Sequence, residues 1–157
     1  MTSPHSPRPP ETPDSLRQAG WTTAEEDGFI GLVGPIWARG EGAEKRFGFL
    51  AEPRHANLVG VVQGGMLMTF ADRGLGILAW DAAGRPLVTT SFEMQFVGAG
   101  RIGSFVELEG EVVQRTRSMV FMRGLLRSGR RLVASCQGSW KALSEHRATG
   151  GARGAGA

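Results

Sequence analysis

The sequence predicts an α+β domain, an antiparallel sheet of about six strands in the order β-β-α-β-β-β-β wrapped around one long central helix. Three observations predict it. Only one long apolar segment exists, Met66 to Trp80, with Asp72 and Arg73 its sole charges. It is too long for a typical strand and reads as a helix. Two β-rich segments precede it and four follow. One of these, Ser104–Val113, sets Phe105, Glu107, Glu109 and Glu111 on one face and Val106, Leu108 and Val112 on the other, the period-2 pattern of a half-buried strand.

Taken in order, Phe29–Ala38 and Arg46–Ala51 read as strands separated by the polar, glycine-containing turn Arg39–Glu44. Glu52 to Gln63 is irregular and opens with Pro53. The helix that follows is apolar nearly all round, which predicts burial on most of its faces. Gly84 and Pro86 end it. Leu87–Val97 is rich in β-branched and aromatic residues. Gln114-Arg115-Thr116-Arg117 reads as a turn, and Ser118–Leu126 and Arg131–Leu143 complete the antiparallel run around a hairpin at Ser128-Gly129. A hairpin centred on Arg115-Thr116 sets Glu109 opposite or near Arg123, and Glu107 near Arg127. Such cross-strand ion pairs contribute only ~0.2–1 kcal/mol each, so they tune register. The sheet's edges need covering, and pairing across a dimer is a common remedy.

A chain of 157 residues, 41% hydrophobic and 21% charged, excludes wholesale disorder and suits one domain. The expected folded unit is 17–145, between a Pro- and Ser-rich tail, 1–16, and a Gly- and Ala-rich tail, 146–157. No run approaches the ~18 apolar residues of a membrane span, and the first residues hold prolines rather than the apolar core of a secretory signal. The expected location is the cytoplasm. Cys136 is the only cysteine, so neither a disulfide framework nor a cysteine zinc site can form. Three dispersed histidines make no metal site either.

Net charge is +3, and all basic residues but Lys45 and Lys141 are arginine. Val112 to Ser144 contains six arginines, one lysine and no carboxylate. The planar guanidinium fork suits phosphate, which points to a phosphate-bearing ligand. The glutamate stripe and the lack of tyrosine or a recognised motif argue against nucleic acid.

The stretch that carries chemistry is His55-Ala56-Asn57-Leu58-Val59-Gly60-Val61-Val62-Gln63-Gly64-Gly65, followed by Ala71-Asp72. It is a polar loop, two glycines and the start of a buried helix. Free N–H groups there suit a developing negative charge. A carboxylate on an otherwise apolar helix is costly unless partnered or used. The spaced set His55, Asn57, Gly60, Gln63, Gly64, Gly65 and Asp72 resembles the hotdog-fold acyl-CoA thioesterases, in the PaaI-like branch of the 4-hydroxybenzoyl-CoA thioesterase superfamily. The resemblance runs from about Phe29 to Leu143 and includes the strand order.

What the resemblance implies is hydrolysis of an acyl-CoA thioester to free acid and coenzyme A, with no metal or redox cofactor. The Gly64 N–H would polarise the thioester carbonyl. Asp72 would act as general base on a water, or as nucleophile through a mixed anhydride. Asn57 would help position thioester or water. A hydroxyl on the next strand would hold the water; Thr89 is the nearest match, with Thr90 and Ser91 its neighbours, and alternation sets Thr89 and Ser91 on one face. Gln63, Gly65, His55, Ser91 and Met68 are the candidate substrate contacts, His55 otherwise serving to order the loop. Many relatives carry histidine at the position of Gln63; glutamine can orient a thioester oxygen but cannot shuttle a proton near pH 7.

Gly64 and Asp72 are eight residues apart, ~12 Å along a helix, so one carbonyl cannot touch both on the same helix. The expected assembly is a homodimer with its active site at the subunit interface, or a tetramer of such dimers. Two alternatives share the fold. A non-catalytic acyl-CoA binding module would not need the carboxylate, and a hydratase or dehydratase would need a histidine where Gln63 stands.

Overall fold

The computed structural model describes residues 11–143, and the expected carboxy-terminal tail lies outside them. The elements are α1 (Pro13–Gln18), β1 (Thr22–Thr23), α2 (Gly28–Val33), β2 (Trp37–Arg39), β3 (Arg46–Leu50), α3 (Gly64–Ala83), β4 (Leu87–Phe96), β5 (Phe105–Arg115), β6 (Met119–Ser128) and β7 (Arg131–Ala142). All strands join one antiparallel sheet of seven, in the order β1-β2-β3-β5-β6-β7-β4, with α3 against it. The α+β class and the single long helix follow the expectation, and β1 is the extra strand.

Central helix α3 begins at Gly64, two residues before the apolar run, and ends at Gly84, whose left-handed φ of 67° lets its N–H close on the Trp80 carbonyl. Its buried side carries Met66, Leu67, Phe70, Ala71, Leu75 and Ala79. The opposite side, through Gly65, Met68, Asp72, Gly76 and Trp80, is only partly covered. The helix is therefore buried on one side in this chain rather than on most faces. It lies close to the sheet because Gly110 offers no Cβ to the tips of Leu75 and Leu78.

Two expectations at the amino-terminal end are corrected. Phe29–Ala38 is not one strand. Ile30 and Val33 pack on the core while Phe29 and Leu32, also three apart, are exposed, so the apolar residues follow a helical period. Pro35 then supplies no N–H for a ladder, and β2 starts only at Trp37. The expected tail 1–16 also overlaps α1, while residues 1–10 lie outside the described residues. Thr12 caps α1, and Leu16 is buried with Trp21, Trp37 and Phe105 in a small second core. That core lies on the face of the sheet away from α3, because Trp37 and Phe105 alternate with inward-facing Phe47 and Val106 across the ladder.

Along β5 the predicted alternation holds for Val106 and Leu108, both fully buried, but Val112 is 45% exposed. Glu107 stands opposite Arg127 as expected. Glu109 stands opposite Leu125, and the ion pair of Arg123 is with Glu111. The hairpin turns later than the sequence suggested: the Thr116 N–H bonds the Met119 carbonyl at 2.8 Å, and a bulge between Val112 and Gln114 shifts the register.

Candidate functional site

The loop ahead of α3 is built on two side chains. His55 is buried; its Nδ1 accepts the Glu52 N–H at 3.0 Å, and its Nε2 donates to the Val33 carbonyl at 2.8 Å. Those partners assign the neutral Nε2–H tautomer. Burial lowers its pKa from 6.5. The His55 carbonyl accepts the Gln63 N–H at 2.8 Å, so this turn fixes where α3 begins. With both ring nitrogens on backbone groups, His55 has no donor or acceptor left for a substrate. The expectation of it as a substrate contact is corrected to that of a loop-ordering residue.

Asn57 Oδ1 accepts the Val59 and Val61 N–H groups at 3.0 and 3.2 Å. Its amide nitrogen makes no hydrogen bond among the described residues and keeps its donors. Asn57, Gly64, Leu67, Phe96 and Gly98 line a cavity of about 450 Å³. A Cβ on Gly64 would come within 3.0 Å of the Phe96 ring, whereas one on Gly65 would meet nothing nearer than Gln63 Cγ at 4.0 Å. Phe96 was not among the sequence candidates; its position depends on strand register, which the sequence did not disclose. In this chain the Gly64 N–H donates to Gln63 Oε1 at 3.0 Å. The glutamine oxygen thus occupies the donor that a carbonyl oxygen would use.

Two turns along α3, Asp72 Oδ1 accepts the Thr89 Oγ1–H at 2.8 Å. Asp72, Ile77, Trp80, Leu87, Thr89 and Trp140 line a second cleft of about 250 Å³. Arg73, beside Asp72, is engaged with Glu26. The structure distinguishes the three hydroxyls at the head of β4. Thr89 pairs with Trp140, which is buried toward α3, but Ser91 pairs with Ser139 on the other face. A bulge at Thr90 breaks the alternation, and Thr90 Oγ1 bonds the Ser139 carbonyl at 3.0 Å. Thr89 and Ser91 therefore lie on opposite faces, and Ser91 as a substrate contact is corrected on that ground. Met68, one turn from each of Gly64 and Asp72, is 36% exposed on the uncovered side of α3.

Within one chain the candidate residues thus fall into two groups, Asn57 and Gly64 on one cavity and Asp72 and Thr89 on the other. They lie at opposite ends of β4, since Phe96 packs on Gly64 and Thr89 bonds Asp72. β4 is the last strand of the sheet, and its far edge pairs with no described strand.

Comparison with known proteins fits this geometry. Residues 59–135, which include Gln63, Gly64, Asp72 and Thr89, match the family model of the thioesterase superfamily. The chain is 34% identical over 113 residues to PA0474 of Pseudomonas aeruginosa, a protein provisionally named an esterase, covering 70% of this chain and 84% of that one. Among solved structures, a point mutant of the phenylacetic acid degradation protein PaaI from Thermus thermophilus is similar, with TM-score 0.67 and 24% identity over 74% of this chain and all (100%) of that one. So is smu.793 from Streptococcus mutans UA159, described as bound to acetyl CoA, with TM-score 0.60 and 16% identity over 63% of this chain and 80% of the other. These two likenesses show the fold. The family match and the extent of identity to PA0474 show that the chain belongs to the thioesterase superfamily, and its seven-stranded sheet around one long helix is the hotdog fold.

Proposed function

We propose that this protein is an acyl-CoA thioesterase of the PaaI-like type, which hydrolyses an acyl-CoA to a free acid and coenzyme A in a site shared by two subunits. The observation that carries the reading is the Thr89–Asp72 hydrogen bond at one end of an open edge strand, with Gly64 and Asn57 at its other end. Two copies of β4 pairing antiparallel about a two-fold axis bring the head of each strand to the tail of the other. Each Asp72 then faces the partner's Gly64, which resolves the ~12 Å between them on one helix. Val88, Phe96 and Val97 are 44–59% exposed along this edge, and a partner would cover them. That a protein of the same fold is described with acetyl CoA supports a CoA thioester as the ligand.

In the proposed reaction the thioester carbonyl oxygen replaces Gln63 Oε1 on the Gly64 N–H. The Asn57 amide donor helps to hold the thioester. A water held by Thr89 and Asp72 gives its proton to the free oxygen of the Asp72 carboxylate as its own oxygen bonds the carbonyl carbon. The Gly64 N–H, at the positive end of α3, stabilises the resulting oxyanion. The oxyanion collapses, the carbon–sulfur bond breaks, and the proton on Asp72 passes to the departing CoA sulfur. Every step is proton transfer and addition–elimination, so the scheme calls on no metal or redox cofactor. A non-catalytic binding module would have no use for a carboxylate held by a hydroxyl.

The test is thiol release from phenylacetyl-, benzoyl-, hexanoyl- and palmitoyl-CoA by the native protein and by Asp72→Ala, with the native mass measured by light scattering. The expected result is a dimer or larger species whose turnover falls by about two orders of magnitude or more in the variant. A fully active monomer, or binding of acyl-CoA with no turnover by either protein, would refute the reading.

A further inference from the structure

We propose that the indole N–H of Trp140 is a recognition group of the Asp72 cleft and donates to the amide carbonyl nearest the sulfur in the arm of an acyl-CoA. The proposal rests on the thioesterase reading above. Trp140 is 1% exposed, yet it lines the cleft that holds Asp72 and Thr89. Trp80 of the same cleft donates its Nε1–H to the Leu87 carbonyl at 2.7 Å, whereas Trp140 Nε1 makes no hydrogen bond among the described residues.

The ring is not free to turn toward another partner. It stands edge-on to Phe92, with centroids 6.2 Å apart, and its far edge lies against Gly138, where a Cβ would come within 2.8 Å of Cη2. Its near edge meets Gly76 of α3, which also lines the cleft. A Cβ on Gly76 would sit 3.3 Å from Nε1, the closest atom to it. Glycine inside a helix is less stable than alanine, and here it leaves the N–H uncovered. A buried donor without an acceptor has lost its hydration and gained nothing in return, and a ligand oxygen restores the bond. Arg73 Nε, on the same cleft, is a second buried donor without a partner. Asp72 is the only carboxylate among the residues that line the cleft. A ligand group seated beyond Asp72 must therefore present an acceptor.

Spacing selects that acceptor. Gly76 is one turn from Asp72, ~6 Å along α3. The thioester carbon sits at Asp72 in the proposed reaction. In coenzyme A a two-carbon bridge joins the sulfur to the first amide, whose carbon lies roughly 6 Å from the thioester carbon in an extended arm. Every acyl-CoA carries this amide whatever its acyl group, so a donor fixed in the sheet has a constant partner. The rival role for the N–H is to hold a structural water.

Two variants act on the N–H in different ways. Gly76→Ala covers it with a methyl group that asks Trp140 to give by a few tenths of an ångström. Trp140→Phe removes it, and Gly76→Ala keeps the test alive if that variant does not fold. Hydrolysis is measured with one acyl group carried on N-acetylcysteamine, which has the amide, or on pentanethiol, which matches its length without the amide. The indole N–H resonance of Trp140, identified by its loss in Trp140→Phe, is followed by NMR during titration with pantetheine. The expected result is that the native protein prefers the N-acetylcysteamine ester about tenfold in kcat/KM and that each variant loses most of this preference. Pantetheine should move the Trp140 resonance in the native protein and much less in Gly76→Ala. A preference that is absent from the native protein or unchanged in Gly76→Ala, or a native resonance that does not move, would leave the N–H to a water and overturn the proposal. Failure of the thioesterase reading looks different. Neither ester would turn over, yet pantetheine would still move the Trp140 resonance, and the arm site would stand without the hydrolase.

Discussion

Replacing Thr89 with valine removes one hydroxyl, changes the side-chain volume little, and tests both the proposed water site and the register of β4. The bond at stake is the 2.8 Å donation from Thr89 Oγ1 to the Asp72 carboxylate. A hydrogen bond to a charged group contributes ~1.5–3 kcal/mol. At 1.36 kcal/mol per factor of ten, its loss from the transition state lowers kcat/KM by about 10- to 150-fold. Thr89 is exposed in the single chain, which favours the low end, about tenfold; cover by a partner raises it by weakening the competition from water. Thr90→Val and Ser91→Ala are the controls. Thr90 bonds the Ser139 carbonyl, and Ser91 faces away from α3, so each should change kcat/KM by less than about twofold. The assay is thiol release from the best acyl-CoA. If Ser91→Ala loses as much as Thr89→Val, the bulge at Thr90 does not set the register, and the assignment of faces is wrong.

Two further predictions concern the scaffold. Gly110→Ala sets a Cβ 2.5 Å from Leu75 Cδ2 and 2.7 Å from Leu78 Cδ1, so both leucines must move. Overpacking of this kind costs ~1–3 kcal/mol, to be read as a lowered urea midpoint at unchanged m-value. His55 gives a pH dependence with a defined sign. Burial lowers its folded pKa below 6.5, so between the two values the unfolded chain binds a proton that the folded chain does not. Stability therefore falls as pH drops below about 6.5. Urea midpoints at pH 7.5 and 5.5 should differ more for the native protein than for His55→Gln; equal differences would mean that another group titrates in this window.

The parts of the fold that were legible in the sequence are those governed by local pattern. The apolar run of α3, the alternation of Val106 and Leu108 and the Gly84 stop each depend on neighbours a few residues away. Phe29–Ala38 misled because its apolar residues suit either a strand or a short helix, and only packing of Ile30 and Val33 decides between them. The second core escaped notice for a related reason. Leu16 and Trp21 sit in a Pro- and Ser-rich neighbourhood, and the groups they bury against, Trp37 and Phe105, are distant in sequence. Nothing local marks that partnership.

The candidate site divides along the same line. Gly64 and Asp72 stood out as a glycine opening a buried helix and a carboxylate on its apolar run, and their roles came from the resemblance of the spaced motif to the thioesterase family. The choice among Thr89, Thr90 and Ser91 was not legible, because one bulged residue reverses every later side chain on the strand. The same bulge carries Phe96 round to the α3 side, where it packs on Gly64. A single irregularity in β4 thus sets Thr89 beside Asp72 at the head of the strand and Phe96 beside Gly64 at its tail. Restoring regular alternation there would turn one of the two outward. The bulge is therefore the backbone feature on which the proposed site, shared between the two ends of β4, depends.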